Sequence, residues 1–531
     1  MIEEIKRLNL RARREWLKAA AATSLLTMTG RLPAAVPLWR DPRFSSNPFT
    51  LGVAAGDPLP DGFVIWSKLA PKPLERGQGM PMRAVEVEWA VASDERMKDF
   101  VRRGTVIARP ELGHALHVEL AGLQPAREYH YQFSAGGERS AIGRARTLPP
   151  AGSELAQARF VVAGCQRYED GYFTAWKHAA AENPDFIFHY GDYIYEYGPM
   201  RSTKARPVNR EMPGLPDEIY TVDDYRNRYA IYKLDPDLQA AHHAAAFVMS
   251  FDDHEVDNNW AGDTTEEEVP TEVFLLRRAA AFQAWYEHMP LRRAQLPRGP
   301  HIQMYRRFAI GDLLNVNVLD TRQYRSPIAC GDGVKADCAE AADRKRSLLG
   351  GTQENWLYDS FRGPNARWTV LAQQIPIMRG DRNPDPNILG LSMDKWDGYS
   401  ATRDRMLEAV EASKLRNLVS VCGDVHFNCA GELKKNFADA KSPALGVEFV
   451  ATSITSLGDG FDINARWQAL MQQDPHIKFY NGQRGYMTHT VTRDHWRADF
   501  KVLDRVSTRN GVLSTRRGFV VENGRAGIKD A

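Results

Sequence analysis

The sequence predicts an α/β protein preceded by a small β-sandwich, and three observations predict it. Residues 50–148 carry short β-branched and aromatic runs between Gly and Pro turns. From about residue 157 strand-like apolar runs alternate with helix-like stretches such as Phe274 to His288 and Arg403 to Leu415. Between the two lies the linker Thr147-Leu148-Pro149-Pro150-Ala151-Gly152-Ser153. The reading divides the chain into a leader over 1–40, a β-sandwich over 44–150 and a catalytic α/β unit over 155–531.

The β-sandwich rests on Phe63-Val64-Ile65-Trp66, on Ala84 to Val91, on His117-Val118-Glu119-Leu120 and on Tyr129 to Phe133. The leader has a basic start (Lys6, Arg7, Arg11), then Arg13-Arg14-Glu15-Trp16-Leu17-Lys18 and a soft apolar run from Ala19 to Met28. A short apolar stretch behind a basic region is a secretion signal, since spanning a bilayer takes about 20 apolar residues. Arg13-Arg14 resembles a twin-arginine signal, which implies export through the twin-arginine machinery to the periplasm or the medium. No later run is long and apolar enough for a transmembrane segment. The alternative is an amphipathic surface helix.

Composition narrows the function. Apolar residues are 43% and charged residues 26% of the 531, and 69 Lys+Arg against 67 Asp+Glu leave a net charge of +2. That balance gives no electrostatic reason to propose a nucleic-acid partner. Five cysteines are too few for a disulfide scaffold. Cys330 and Cys338 sit in a polar Gly-containing loop, where an oxidising compartment would let them close a small ring.

The chemistry lies in what ends each strand-like run. Phe160–Ala163 leads into Gly164-Cys165-Gln166, and Asp185–Phe188 into Gly191-Asp192-Tyr193-Ile194-Tyr195-Glu196. Ala246–Met249 leads into Asp252-Asp253-His254-Glu255, followed by Asp257-Asn258-Asn259. Leu314–Leu319 ends in Asp320-Thr321-Arg322, Trp368–Ala372 in Gln373-Gln374, and Leu418–Cys422 in Gly423-Asp424-Val425-His426. In open α/β sheets ligands bind beyond the carboxyl ends of the strands, so these tips should meet on one rim. Singly, Asp192 or Asp320 could cap a helix, Cys165 could be a small buried hydrophobe and Tyr195 a core residue. Together, carboxylate, imidazole, phenol and thiol suit a mixed-metal site. There is no G-x-S-x-G elbow and no P-loop to support other hydrolytic chemistry.

Gly191-Asp192-x-x-Tyr195, Asp253-His254-Glu255 and Gly423-Asp424-x-His426 are similar to the signature of the calcineurin-like metallophosphoesterases and purple acid phosphatases. Asp253 stands where that signature has Asn, Asp424 where it has His, and Gly164-Cys165 where it opens with an aspartate motif. Those departures resemble the PhoD-like alkaline phosphatase branch, as do Leu319 to Arg325, Trp396-Asp397-Gly398-Tyr399 and the stretch Gly52 to Trp66. The resemblance implies an αββα sandwich and an exported hydrolase of phosphate mono- and diesters that uses Fe³⁺ and Ca²⁺. It places Cys165, Asp192, Tyr195 and His426 on the iron, with Asp192 bridging to calcium. Asp253, Asn258, Asp397 and Asp424 would be the further oxygen ligands. His254 would meet the phosphate-ester substrate, and Arg322 would be either a phosphate clamp or a structural salt-bridge residue. Two other readings stay open: a phospholipase D-like phosphodiesterase on lipid head groups, and an exported binding protein with a purely structural metal site.

Overall fold

The computed structural model describes residues 38–531 apart from 199–207, 209, 211, 213–215, 217, 268 and 364–365. The twin-arginine segment lies outside the described residues, as does most of the insert Pro199 to Asp217.

Two sheets lie face to face. At the centre of a ten-stranded sheet the strands Gln157–Ala163, Phe186–His189 and Ala246–Met249 run parallel. Gly485–Thr492 pairs antiparallel with the first of them and carries the C-terminal strands His495–Leu503 and Leu513–Glu522 outward. In the seven-stranded sheet Leu314–Val318, Trp368–Ala372, Leu418–Cys422 and Ala444–Val450 are parallel neighbours. Strands buried on both faces have no solvent side to keep polar, which is why Phe-Ile-Phe-His and Ala-Phe-Val-Met read as nearly continuous apolar runs. Aromatic rings fill the space between the sheets: Phe160 stacks on Phe186 at 4.8 Å and Trp368 meets Trp496 edge-on at 5.8 Å. Helices cover the outer faces, Thr174–Ala181, Val222–Lys233, Pro236–Ala244 and Thr271–His288 on one side and Gly350–Arg362 and Ser400–Ala412 on the other. The result is a four-layer αββα arrangement. Among the described residues no helix is long and apolar enough to cross a membrane. Cys330 and Cys338 are joined as a disulfide, while Cys165, Cys422 and Cys429 are free and buried.

The N-terminal β unit differs from a self-contained sandwich. One layer is a separate six-stranded sheet that includes Ala84–Ala92, Phe100–Ala108 and Glu128–Ala135. The other layer, Val53–Leu59, Gly62–Lys68 and Ala115–Glu119, continues the ten-stranded sheet, because Ala55 and Gly56 pair in parallel with Ala246 and Phe247. Gly56 permits that junction: a Cβ there would lie 2.2 Å from the Pro290 carbonyl oxygen. Arg306 locks it, donating to Asp57 Oδ1 at 2.7 Å and to the Met249 carbonyl at 2.8 Å.

Lys233 sits where the unit meets the helical layer. It is 2% exposed, with Nζ 4.3 Å from the Trp66 ring centre and 5.3 Å from that of Tyr193. Among the described residues no carboxylate pairs with it. Burial, with the charge of Lys68 adding to it, pulls its pKa down to about 7. The unfolded chain therefore binds one more proton than the folded one between about pH 7 and 10, and stability rises with pH across that window. At about 1.4 kcal/mol per unit the charged lysine costs a few kcal/mol at pH 7 and below. Lys233→Met should thus raise the melting temperature at pH 7, by an advantage that shrinks toward pH 10. Thermal melts across that range check it, and a pH-independent difference would refute the account.

Candidate metal centre

The parallel strands all point their carboxyl ends to one rim, and the chain leaves three of them through glycine. Gly164-Cys165, Gly191-Asp192 and Gly423-Asp424 each make a tight reversal. Cys165, Asp192, Asp424 and His426 have φ of 51°, 55°, 69° and 58°, left-handed values that side chains adopt only when the surroundings hold them there. Gly191 makes room for Asp252, and Gly164 and Gly423 make room for Tyr190. A Cβ on Gly164 would lie 2.5 Å, and one on Gly423 2.2 Å, from its ring, whose hydroxyl donates to the Thr452 carbonyl at 2.7 Å. The strand ends can therefore close on one another around this ring and aim their side chains at a common point.

Asp192 is the centre of what they build. Its Oδ2 lies 3.2 Å from Cys165 Sγ and accepts from the Tyr195 hydroxyl at 2.9 Å. That hydroxyl is also 3.2 Å from His426 Nε2 and 2.7 Å from Ser456 Oγ. Donor atoms of Cys165, Asp192 and His426 lie within 4.8 Å of one another, as do those of Asp192, Asp253 and His254 and those of Asp252, Asp253 and Asp424. Asp192 belongs to two of these groups and Asp253 to two. Asp192 Oδ1 and Asp252 Oδ2 are buried with no hydrogen-bond partner, an arrangement that costs free energy unless a cation satisfies them.

The electrostatics fit the same need. Burial, then the Asp192 charge, push the Cys165 thiol and the Tyr195 phenol well above their ordinary pKa values. Burial against the pull of Arg322 pushes Asp252 up to about 8. Burial also favours a neutral Asp253, but Arg322 and then His254 hold it below the usual carboxylate range. The donor set divides around Asp192, with thiol, phenol and imidazole on one side and carboxylates on the other. Such a set fits two cations of different preference.

Several residues named from sequence make contacts other than those expected of them. Arg322 is 0% exposed. Its Nε donates to Asp252 Oδ1 at 2.6 Å and its Nη1 to Asp394 Oδ1 at 2.7 Å. Nη2 stands 3.6 Å from both Asp253 and Asp424. It is the structural salt-bridge residue and not a phosphate clamp, because every face of its guanidinium is committed to protein carboxylates. The Asn258 amide donates outward to Glu266 at 2.6 Å. Asp397 stands outside the three donor groups, with its carboxylate engaged by Arg403 and by the Gly380 N–H at 3.1 Å. Among the described acidic, histidine and cysteine side chains, Asp397 does not join the cluster. His254 is more enclosed than a residue that simply faces substrate. It is 7% exposed and packs on the Tyr195 ring at 4.2 Å. Its Nδ1 is 2.7 Å from Glu196 Oε2, so Nε2 is the nitrogen left for a ligand or a substrate. Burial opposes a charged ring, but Glu196 and then Asp253 raise its pKa well above the usual imidazole range.

Four residues were missed. Glu196 holds His254 and also accepts the Asn258 N–H at 2.7 Å, fixing the turn that carries Asp253. Asp252, Asp394 and Lys395 complete the cluster's charge, with Lys395 Nζ 2.8 Å from Asp394 Oδ2 and paired with Asp424. The signals were present: Glu196 closes the Gly191 run, and Asp394-Lys395 directly precede Trp396-Asp397.

This arrangement, on this fold, is that of a metal-dependent phosphoesterase. The sequence profile of the PhoD-like phosphatase family matches residues 160–500, and that of the N-terminal domain of PhoD-like phosphatases matches 34–149. Alkaline phosphatase D of Bacillus subtilis (strain 168) is 46% identical over 488 residues, which is 92% of this chain and 83% of that protein. The solved structure titled "Structure of PhoD" superposes with a TM-score of 0.90 at 46% identity, covering 92% of this chain and 93% of that one. The chain belongs to the PhoD-like phosphatase family and is a hydrolase of phosphoric ester bonds.

Partners that orient a histidine of a metal site typically change affinity or activity about 10- to 100-fold when altered. Glu196→Gln should therefore lower kcat/KM on p-nitrophenyl phosphate by that order, with Cys165 and Tyr195 untouched. Steady-state kinetics check it, and wild-type rates would mean that the Glu196–His254 contact is only structural.

Proposed function

We propose that the enzyme hydrolyses phosphate mono- and diesters at a centre of Fe³⁺ and Ca²⁺, and that it works outside the cytoplasm. The single observation that carries the metal assignment is Asp192. It is buried, lies between two chemically different donor groups and keeps one oxygen unpartnered. Cys165, Asp192, Tyr195 and His426 would hold the iron, since thiolate, phenolate and imidazole suit it. Asp192, Asp253, Asp252 and Asp424 would hold the calcium through oxygen. When bound, such ions neutralise phosphate charge and lower the pKa of the attacking water.

The chain's own residues do the rest. Glu196 fixes the His254 ring and favours its protonated form, so Nε2 can donate to a phosphate oxygen or to the departing alkoxide. Attack on phosphorus by water or hydroxide breaks the ester bond, and the leaving oxygen takes up the proton. Arg322 and Lys395 keep the carboxylates in place through their ion pairs. The reading also takes 44–150 as an N-terminal β unit and 155–531 as the catalytic unit, which the two profile matches support.

Elemental analysis beside monoester and diester assays tests the centre. The wild type should contain iron, absorb in the visible through phenolate charge transfer and lose activity on chelation, and Tyr195→Phe should lose the colour. A colourless, iron-free, active wild type would leave a different metal pair. For export, replacing Arg13 and Arg14 by Lys should strand the precursor inside the cell. Fractionation that finds equal amounts outside would exclude that route.

A further inference from the structure

A cavity opens beside the cluster, and Lys395 lines it while pairing with Asp424. His426 is followed directly by Phe427, which forms another part of the wall. Phe427, Trp467 and Tyr480 are packed together, with Trp467 stacked on Tyr480 at 4.1 Å and Phe427 at 4.8 Å from each. Met378 and Leu470 extend the apolar wall.

Into this wall the chain sets one cation. The Arg382 guanidinium lies 5.0 Å from the centre of the Phe427 ring and 5.1 Å from that of Trp467. The neighbouring arginines are committed to protein acceptors. Arg379 donates to Asp474 at 2.8 Å, Arg403 pairs with Asp397, and Arg484 donates to the Gly458 carbonyl at 2.8 Å. Among the described residues no carboxylate or carbonyl accepts from the Arg382 guanidinium. Its charge is instead held by ring faces, which fix its plane and leave its N–H groups for something else. The acids whose charge reaches it are engaged elsewhere, Asp397 by Arg403 and Asp424 by Lys395.

We infer that Arg382 is a specificity-determining residue that receives an anionic group, carboxylate or phosphate, on the ester arm of the substrate while the scissile phosphate sits at the Asp192 cluster. The inference rests on the phosphoesterase reading. An arm with an apolar body and an anionic end matches the cavity: the aromatic wall takes the body, and the guanidinium pairs with the charge in a setting poorer in water than the surface.

Isothermal titration of the metal-loaded enzyme tests it with non-hydrolysable probes: phenylphosphonate, its 3- and 4-carboxy derivatives and 1,4-phenylenediphosphonate. The wild type should bind at least one doubly functional probe about tenfold or more tighter than phenylphosphonate. Whether the carboxylate or the second phosphonate gains more identifies the anion. In Arg382→Gln the preference should collapse to about one, and Arg382→Lys should keep part of it. Equal binding of all probes by the wild type, or an undiminished preference in Arg382→Gln, overturns the inference. If Arg382→Gln does not fold, an undiminished preference in Arg382→Lys together with Trp467→Ala does so. Phenyl phosphate hydrolysis by the wild type, run in parallel, reports on the phosphoesterase reading alone.

Discussion

Crowding acids in the dark interior of a protein is the constraint on which this molecule turns. Asp252, Asp253 and Asp394 are buried, and Asp424 half-buried, around one guanidinium that water does not reach. Each ion taken from water carries a desolvation penalty of several kcal/mol even after the protein relaxes, so the acids can coexist only with cations among them. Arg322 is the fixed one. It reaches its position because the strand Leu314–Val318 ends in Leu319-Asp320, where Asp320 accepts the N–H groups of Arg322 and Gln323 at 3.0 Å and turns the chain inward. The remaining deficit, with Asp192 and Asp252 each keeping an unpartnered oxygen, is what makes the site a receptor for metal rather than a closed salt-bridge network.

The backbone bears the second part of that constraint. Four site residues are held in left-handed conformations, each at a cost of about 1 kcal/mol or more. Such strain survives only where packing overdetermines it. Tyr190, wedged against Gly164 and Gly423 and tied to Thr452, supplies that packing at the centre of the rim. The glycines of the three short motifs thus have a mechanical reason that precedes any chemistry. They let the strand ends come close enough for Cys165, Asp192 and His426 to share one point.

This explains which parts were legible in the sequence. Strand ends carrying Cys165, Asp192, Tyr195, Asp253, Asp424 and His426 could be read because several apolar runs end in metal-capable residues, a joint occurrence that core packing alone does not explain. The α/β character could be read from the alternation of runs, whereas the αββα arrangement came with the family resemblance. Arg322 could not be resolved, since a guanidinium looks the same in sequence whether it faces phosphate or four carboxylates. Asp397 shows a related difficulty: a motif names a segment, and its carboxylate is engaged by Arg403 while Asp394, three residues earlier, pairs with Arg322. Pairing across units was invisible as well. Nothing local in Val53–Leu59 says that Ala55 and Gly56 will bond to Ala246 and Phe247 rather than close a separate sandwich.

The thiols complete the argument about where such a centre can operate. Cys330 and Cys338 are oxidised to a disulfide in a loop, while Cys165 stays a free thiol that is 1% exposed beside Asp192. A compartment that sustains the first bond threatens the second group, because oxidation follows thiolate character and access. Burial answers both: it raises the Cys165 pKa, and it keeps oxidants from reaching the sulfur. Cys422 and Cys429 are protected in the same way by the core beneath the second sheet. The fold therefore separates its two sulfur chemistries by depth. A chain released unfolded into an oxidising compartment would expose all five cysteines to pairing, whereas a chain exported folded would present only the loop pair. That asymmetry gives the proposed twin-arginine route a physical reason rooted in Cys165 itself.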